Sequence, residues 1–555
     1  MIELKISAIR SELLRLTRVR SAWASTLGVL ACVALYGLFV LPRLGSPGLN
    51  LEEVYTIMPA LKLLGYKATA GDLAFLEFKG LSLPLAFGLY HGAIESYLAA
   101  PFIAALGTTP EALRACTIFL GAATLSLFFH LARALTRSRA FGAFGAVLLA
   151  VHPTFVSATR EGFNGGSALL LFETAALLGL LYWRRTGRAG PLYAACLALG
   201  LGLGSRGWFI YCLPALAVLA VVFRPRASPR DLARRALRSW RTFFFSLVIF
   251  MLGAMPFILQ HVRLQFQGGG PSIFSMMEAD NLDYRKNLSV RLTQIESLLH
   301  RDVILEEQFP QAPSEPYRFH WPVFCACLVW SLASLRLGRG RSGWAARTFF
   351  LVYFIVFLAG STFTLRGLNA LQLLPLLPVA AIIVTLSVQD ALRFLRPDRR
   401  APLLALLVVL ALALDAPKIQ SRLKGGMAGV SMLYSDATSQ AALWLRNNDH
   451  RHVATLDWGM LPIDYLEAGR ITLDRYWYAA KLPPEEREKG AARMRRSLSN
   501  PDSIYLMYVD PPKSLPSAQG LFFEEIRRLG MGVVELARFS REDGRPVIRA
   551  VRARP

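Results

Sequence analysis

Acidic residues are scarce in this chain: 38 Asp and Glu stand against 62 Lys and Arg in 555 residues, a formal net charge of +24. Cysteine is scarcer still. There are six, all in apolar segments and none beyond Cys327, so no disulfide framework is expected. Cys325 and Cys327 are two residues apart, which on a helix puts them on different faces and favours packing over metal binding. There is no Walker loop, no Gly-x-Gly-x-x-Gly after a strand and no His-Glu-x-x-His. Nothing therefore points to a nucleotide-driven pump. Internal repeats and low-complexity tracts are also lacking.

What the chain has is apolar length. Hydrophobic residues make up 54% of it, too many for an ordinary soluble enzyme. Stretches such as 31–41, 113–132, 169–183 and 371–388 belong to segments able to span a bilayer core of about 30 Å, which takes roughly 20 residues of helix. Between them lie short arginine clusters: Arg133, Arg137 and Arg139; Arg184, Arg185 and Arg188; seven arginines from Arg224 to Arg241; Arg336 to Arg347; and Arg393 to Arg400. These clusters and the basic N-terminus read as cytoplasmic loops under the positive-inside rule. The basic surplus is thus topology and contact with membrane lipids, with no nucleic acid as partner.

Placing the clusters inside fixes the remaining topology. Spans are expected near 21–41, 113–132, 140–157, 166–183, 191–205, 208–223, 242–260, 321–335, 348–364, 369–388 and 401–415. The fold class is a polytopic α-helical membrane protein of about 11 transmembrane helices, with its N-terminus cytoplasmic. The first run is read as a retained anchor. Residues 1–416 form the membrane module, with outer loops 43–111 and 261–320. The apolar run 83–106 is interrupted by Tyr90, His91, Glu95 and Ser96, and reads as an interfacial helix rather than a span. Residues 417–555 change to a soluble composition with alternating strand and helix signals, an extracytoplasmic α/β domain.

Glu52 and Glu53 follow the first span. A carboxylate at a membrane exit can take a proton from an acceptor hydroxyl or hold a divalent metal cation, and it can also simply suit a helix N-terminus. Arg114, Arg160, Arg206 and Arg366 lie at the outer ends of helices, where few cations are expected. Each alone fits snorkelling or a local ion pair. Four on one face fit an anionic lipid head group, because the guanidinium fork matches phosphate. Tyr90 and His91 can line a sugar or phosphate pocket, or form part of an aromatic belt.

At these residues the chain resembles the GT-C superfamily of membrane glycosyltransferases, which includes protein O-mannosyltransferases and aminoarabinose transferases. The resemblance rests on the acidic pair Glu52-Glu53 soon after the first helix. It continues through Tyr90-His91-Gly92 and on to Gly107 and Arg114. Gly202-Leu203-Gly204-Ser205-Arg206-Gly207 and the run from Arg366 to Pro378 complete it. It implies transfer of a sugar from a polyprenyl-phosphate-linked donor to a lipid, glycan or protein acceptor outside, with inversion at the anomeric carbon. Glu52 and Glu53 would be the catalytic acids, and the four arginines with Tyr90 and His91 the substrate contacts. The chain departs from the family pattern in having Glu52 where Asp is usual, Gly92 near the point where aminoarabinose-type members place Lys, and Asn164 near an acid often found after the third span. Polyprenyl chemistry and the excess of arginine over lysine point to a bacterial inner membrane. No cofactor is firmly implied beyond a divalent cation as an option. The alternative function is a non-catalytic carrier or flippase for a lipid-linked glycan, and a third reading is a structural factor of an envelope complex.

Overall fold

The computed structural model of the chain describes residues 23–555 except 47, 67–72, 88–90, 162–165, 223–228, 267–282, 301–319, 338–343, 364–369, 422–435, 477–483, 512–516 and 542. α1 (Trp23–Val40) leads to the short helices α2 (Leu51–Tyr55) and α3 (Met58–Leu63). β1 (Leu73–Phe78) and β2 (Leu81–Phe87) form a hairpin, followed by β3 (His91–Gly92) and α4 (Ile94–Leu106). The helices then run α5 (Pro110–Thr136), α6 (Arg139–Ala150), α7 (Pro153–Glu161), α8 (Gly166–Thr186), α9 (Ala189–Ser205) and α10 (Cys212–Val222). After these come α11 (Pro229–Phe266), α12 (Tyr284–His300), α13 (His320–Leu337), α14 (Trp344–Ser361), α15 (Leu376–Leu392) and α16 (Pro397–Ser421).

Among the described residues six helices are long and apolar enough to cross a membrane: α1, α5, α8, α14, and parts of α11 and α16. α6 and α7 pass the same test only together, bent by 68° where Val151 and His152 precede Pro153, so the count is seven if the pair is one broken span. Proline cannot continue the preceding helix without losing a hydrogen bond, which accounts for the break. α9, α10, α13 and α15, where the sequence reading also expects spans, are shorter apolar helices. Two local expectations change. Residues 83–87 are strand rather than the start of an interfacial helix, and the helix begins only at Ile94. The hairpin forms because Lys79 and Gly80 both take positive φ (48° and 81°) between the paired Phe78 and Leu81, the two-residue turn whose twist suits antiparallel strands.

The long α5 fixes the two ends of the bundle. Thr109 caps it by accepting the Ala112 N–H at 3.2 Å, with Pro110 in the first turn. It ends at Arg137, in the left-handed region at φ 58°. At 27 residues it is about 40 Å long, enough to cross a hydrocarbon core. The end near Arg137 gathers one set of polar contacts. There Gln389 donates to the Thr136 carbonyl at 2.8 Å and Arg347 pairs with Asp390 at 2.6 Å. Inside the bundle Tyr353 donates to the buried carboxyl of Glu173 at 2.7 Å. All six cysteines are unbridged.

Beyond α16 the chain turns to mixed structure: α17 (Ala437–Asn447), β4 (His452–Thr455), α18 (Leu461–Leu466), β5 (Thr472–Arg475), α19 (Pro484–Leu498), β6 (Ile504–Tyr508), α20 (Gln519–Arg528), β7 (Gly532–Ser540) and β8 (Pro546–Arg554). The sheet order is β5-β4-β6-β8-β7, with β4 parallel to β5 and β6, and β8 antiparallel to β6 and β7. Met494, Leu498, Phe522 and Ile526 pack on one face, and Ala441, Leu445 and Ile463 on the other. β5 and α18 are absent from the sequence reading. α18 docks on the helical bundle at the capped end of α5. Tyr465 donates to the Thr109 carbonyl and Thr108 to the Leu466 carbonyl, both at 3.3 Å, and Leu461 and Leu466 join the apolar core of the bundle.

Candidate active site

The capped end of α5 gathers two buried charge clusters. The first is built on α2. Glu53 sits at the third position of that helix and accepts the Asn50 backbone N–H at 2.7 Å, half of a capping box. The same carboxylate receives Arg114 through Nε at 3.0 Å and Nη2 at 3.3 Å, while Nη1 of Arg114 donates to the Leu44 carbonyl at 2.7 Å. Both side chains are almost wholly buried. Arg160, from α7, donates through Nη2 to the carbonyls of Pro42 (3.3 Å), Arg43 (3.0 Å) and Ser46 (2.9 Å). Thr117 bridges the two arginine backbones, within 3.1 Å of the Arg114 carbonyl and 3.0 Å of the Arg160 carbonyl. These contacts pin the segment between α1 and α2 to α5 and α7, and so fix the backbone that carries Glu52. The Glu52 side chain lies outside the described residues.

The second cluster lies where β3 meets the end of α9. His91 and Arg206 form an antiparallel bridge. The approach is so close that a Cβ on Gly92 would lie 1.7 Å from the Gly204 carbonyl oxygen, which only glycine avoids. Arg206 is fully buried, with Nε 3.9 Å from Oε1 of Glu95 and its guanidinium carbon 5.6 Å from the Trp208 ring centre. Ser205 donates to the same Glu95 oxygen. The His91 ring meets Trp208 edge-on at 5.7 Å and Tyr55 at 5.6 Å. Burial, and then the charge of Arg206, hold the His91 pKa well below its ordinary value. The ring is therefore neutral at pH 7, a hydrogen-bonding group and not a second cation.

The segment α2–α3 joins the two clusters. Tyr55 touches His91, and the Thr56 carbonyl accepts the Ser96 hydroxyl at 2.8 Å. Between the clusters lies a small cleft bordered by Thr56, Glu95, Cys116, Thr117 and Ser167. Glu95 and Ser205 are absent from the sequence reading as site residues. Tyr90 and Arg366, singled out from sequence, lie outside the described residues, as does Asn164. Among the described residues no three His, Cys, Asp or Glu side chains converge on a metal position.

This end of the bundle is opposite the end that carries Arg133, Arg137, Arg139 and Arg347. The arginines thus form two populations, separated by the length of α5. At the site end the arrangement can hold a carboxylate over a rigid backbone and present a buried guanidinium framed by aromatic rings. Such a frame suits a phosphate with a sugar attached.

A family model described as dolichyl-phosphate-mannose-protein mannosyltransferase matches residues 91–259, a stretch that begins at His91 and contains Arg114, Arg160 and Arg206. Two crystal structures of ArnT from Cupriavidus metallidurans share the fold. One is in the apo state (TM-score 0.56) and the other is bound to undecaprenyl phosphate (TM-score 0.54). Each is 13% identical to this chain and covers 96% of it and 98% of the ArnT chain. No curated protein sequence matches the chain.

Proposed function

From its place in the GT-C superfamily of membrane glycosyltransferases, we propose that this chain moves a sugar from a polyprenyl-phosphate donor to an acceptor on the extracytoplasmic face of a bacterial inner membrane. The observation that carries the reading is the meeting of the Glu53–Arg114 and His91–Arg206 clusters across α2–α3, at the end of the bundle away from the other arginine population. The ArnT of the same fold has been crystallised with undecaprenyl phosphate, itself a polyprenyl phosphate.

In this account Glu52 is the catalytic carboxylate. It takes the proton of the acceptor hydroxyl as that oxygen forms a bond to the anomeric carbon. The bond from that carbon to the phosphate oxygen breaks, and polyprenyl phosphate leaves with the electron pair. A single displacement of this kind inverts the anomeric centre. Arg206, with Arg366, meets the charge on the departing phosphate, and Tyr90 and His91 line the donor pocket. Glu53, Arg114 and Arg160 position Glu52 by fixing its backbone. The full reading of the fold has eleven spans, the N-terminus cytoplasmic, residues 1–416 as membrane module and residues 417–555 as an extracytoplasmic domain.

The test is incubation of the purified chain with a polyprenyl-phosphate sugar and acceptor lipids or glycans, measuring released polyprenyl phosphate. Release is expected from the unsubstituted chain. Glu52→Gln should lower it by about 10²- to 10⁴-fold, the usual contribution of a positioned acid or base, without lowering folded yield. Glu52→Gln with unchanged release would remove the catalytic assignment. A carrier would move the donor across a bilayer and release nothing.

A further inference from the structure

The β1–β2 hairpin carries a two-faced pattern that the transfer reaction does not use. Strand alternation puts Leu76, Phe78, Leu81 and Leu83 together, with Phe78 opposite Leu81 and Leu76 opposite Leu83 across the ladder. Leu76, Phe78 and Leu81 are 45%, 54% and 54% exposed, an apolar patch at the tip of a loop. The opposite face is polar and tethered. Glu77 pairs with Lys62 of α3 at 2.9 Å and accepts Ser82 at 2.7 Å, and the Lys62 ammonium sits 4.1 Å from the Phe75 ring centre.

The hairpin's height relative to the bilayer is set by α11. Arg263, at the end of the apolar stretch Trp240–Arg263, donates to the Phe75 carbonyl at 3.1 Å. That stretch is long and apolar enough to cross a membrane, and exposed apolar side chains continue to this end at Leu259 and Val262, with Phe266, 85% exposed, one turn beyond. The exposed face of the hairpin therefore begins at the level where the lipid-facing surface of α11 stops. An apolar tip with a lysine, Lys79, at its turn is the composition of a segment that enters the head-group and acyl boundary.

We infer that the hairpin tip, through Leu76, Phe78 and Leu81, is inserted in the lipid leaflet on the side of the candidate site and anchors α3 to that leaflet. The inference rests on the chain crossing a membrane and not on sugar transfer, so the two fail separately.

The experiment places single nitroxide labels on the full chain in nanodiscs of phosphatidylethanolamine and phosphatidylglycerol. Phe78→Cys and Leu81→Cys report on the apolar face, Ser82→Cys on the polar face, and Asp449→Cys on the exposed surface of the C-terminal region. The unsubstituted chain supplies the background from its native cysteines, and Leu81→Cys suffices if Phe78→Cys does not fold. Labels at 78 and 81 are expected to collide several-fold more with oxygen than with a water-soluble nickel chelate, and labels at 82 and 449 to show the reverse. Labels at 78 and 81 as open to the chelate as the label at 449 would overturn insertion. So would labels at 78 and 81 shielded from both reagents, the signature of a protein partner or a second copy on this face.

Discussion

Arg114 and Arg206 are both buried cations at one end of the bundle, and each has a glutamate beside it. They meet those glutamates differently. Arg114 grips Glu53 with two nitrogens at 3.0 and 3.3 Å and spends a third on the Leu44 carbonyl. Arg206 lies with Nε 3.9 Å from Oε1 of Glu95, while Ser205 donates to that same carboxylate and the Trp208 ring lies beside the guanidinium. The first arrangement is closed: charge and hydrogen-bond geometry are matched within the protein, and its work is to hold α2 in place. The second is looser: its ion-pair distance is 3.9 Å, against 3.0 Å at Glu53. Residue type, burial and location are shared, so they do not tell support from ligand contact. The proposed function separates them by the geometry of the ion pair.

That contrast can be broken most severely at the closed pair. Arg114→Met leaves the Glu53 carboxylate buried and uncompensated, which should cost about 3–5 kcal/mol and appear as a lower Tm and poor yield of folded protein. The double variant Glu53→Gln with Arg114→Met should recover most of that loss, because no lone charge remains. A double variant as unstable as the single one would show that Arg114 matters for more than its pairing. At the second cluster, Arg206→Lys keeps the charge and loses the fork. A charge-assisted hydrogen bond contributes about 1.5–3 kcal/mol, so kcat/KM for transfer should fall by about 10- to 150-fold with little change in Tm. Loss of Tm with no change in transfer would reverse the roles assigned here. Glu95→Gln should act most weakly, raising KM for the donor by about two- to tenfold (about 0.5–1.5 kcal/mol) by loosening Arg206.

Part of this was legible in the sequence, and the reasons are physical. Arg114, Arg160 and Arg206 stand out because cations at helix ends opposite the basic loops break a strong compositional rule. Glu53 is visible as an acid near a helix start, but its partner is 61 residues away and no local pattern names it. Glu95 is hidden twice, inside an apolar run and bonded to Ser205 across 110 residues. The hairpin did leave a signal, with Leu81, Leu83 and Leu85 alternating after Lys79-Gly80, but the apolar run continuing into α4 masked it. Pro153 lies at the break between α6 and α7, yet the apolar pattern reads as one span through 140–157; β5 and α18, at four and six residues, are too short to carry a periodic pattern of their own.

The most direct measurement is equilibrium binding of a polyprenyl phosphate to the purified chain and to two variants of matched folded yield, Arg206→Lys and the Glu53→Gln, Arg114→Met double. Binding should weaken at least tenfold for Arg206→Lys and stay within a few-fold of the unsubstituted chain for the double variant. Equal weakening in both, or full-strength binding in Arg206→Lys, would contradict the division of labour between the two clusters.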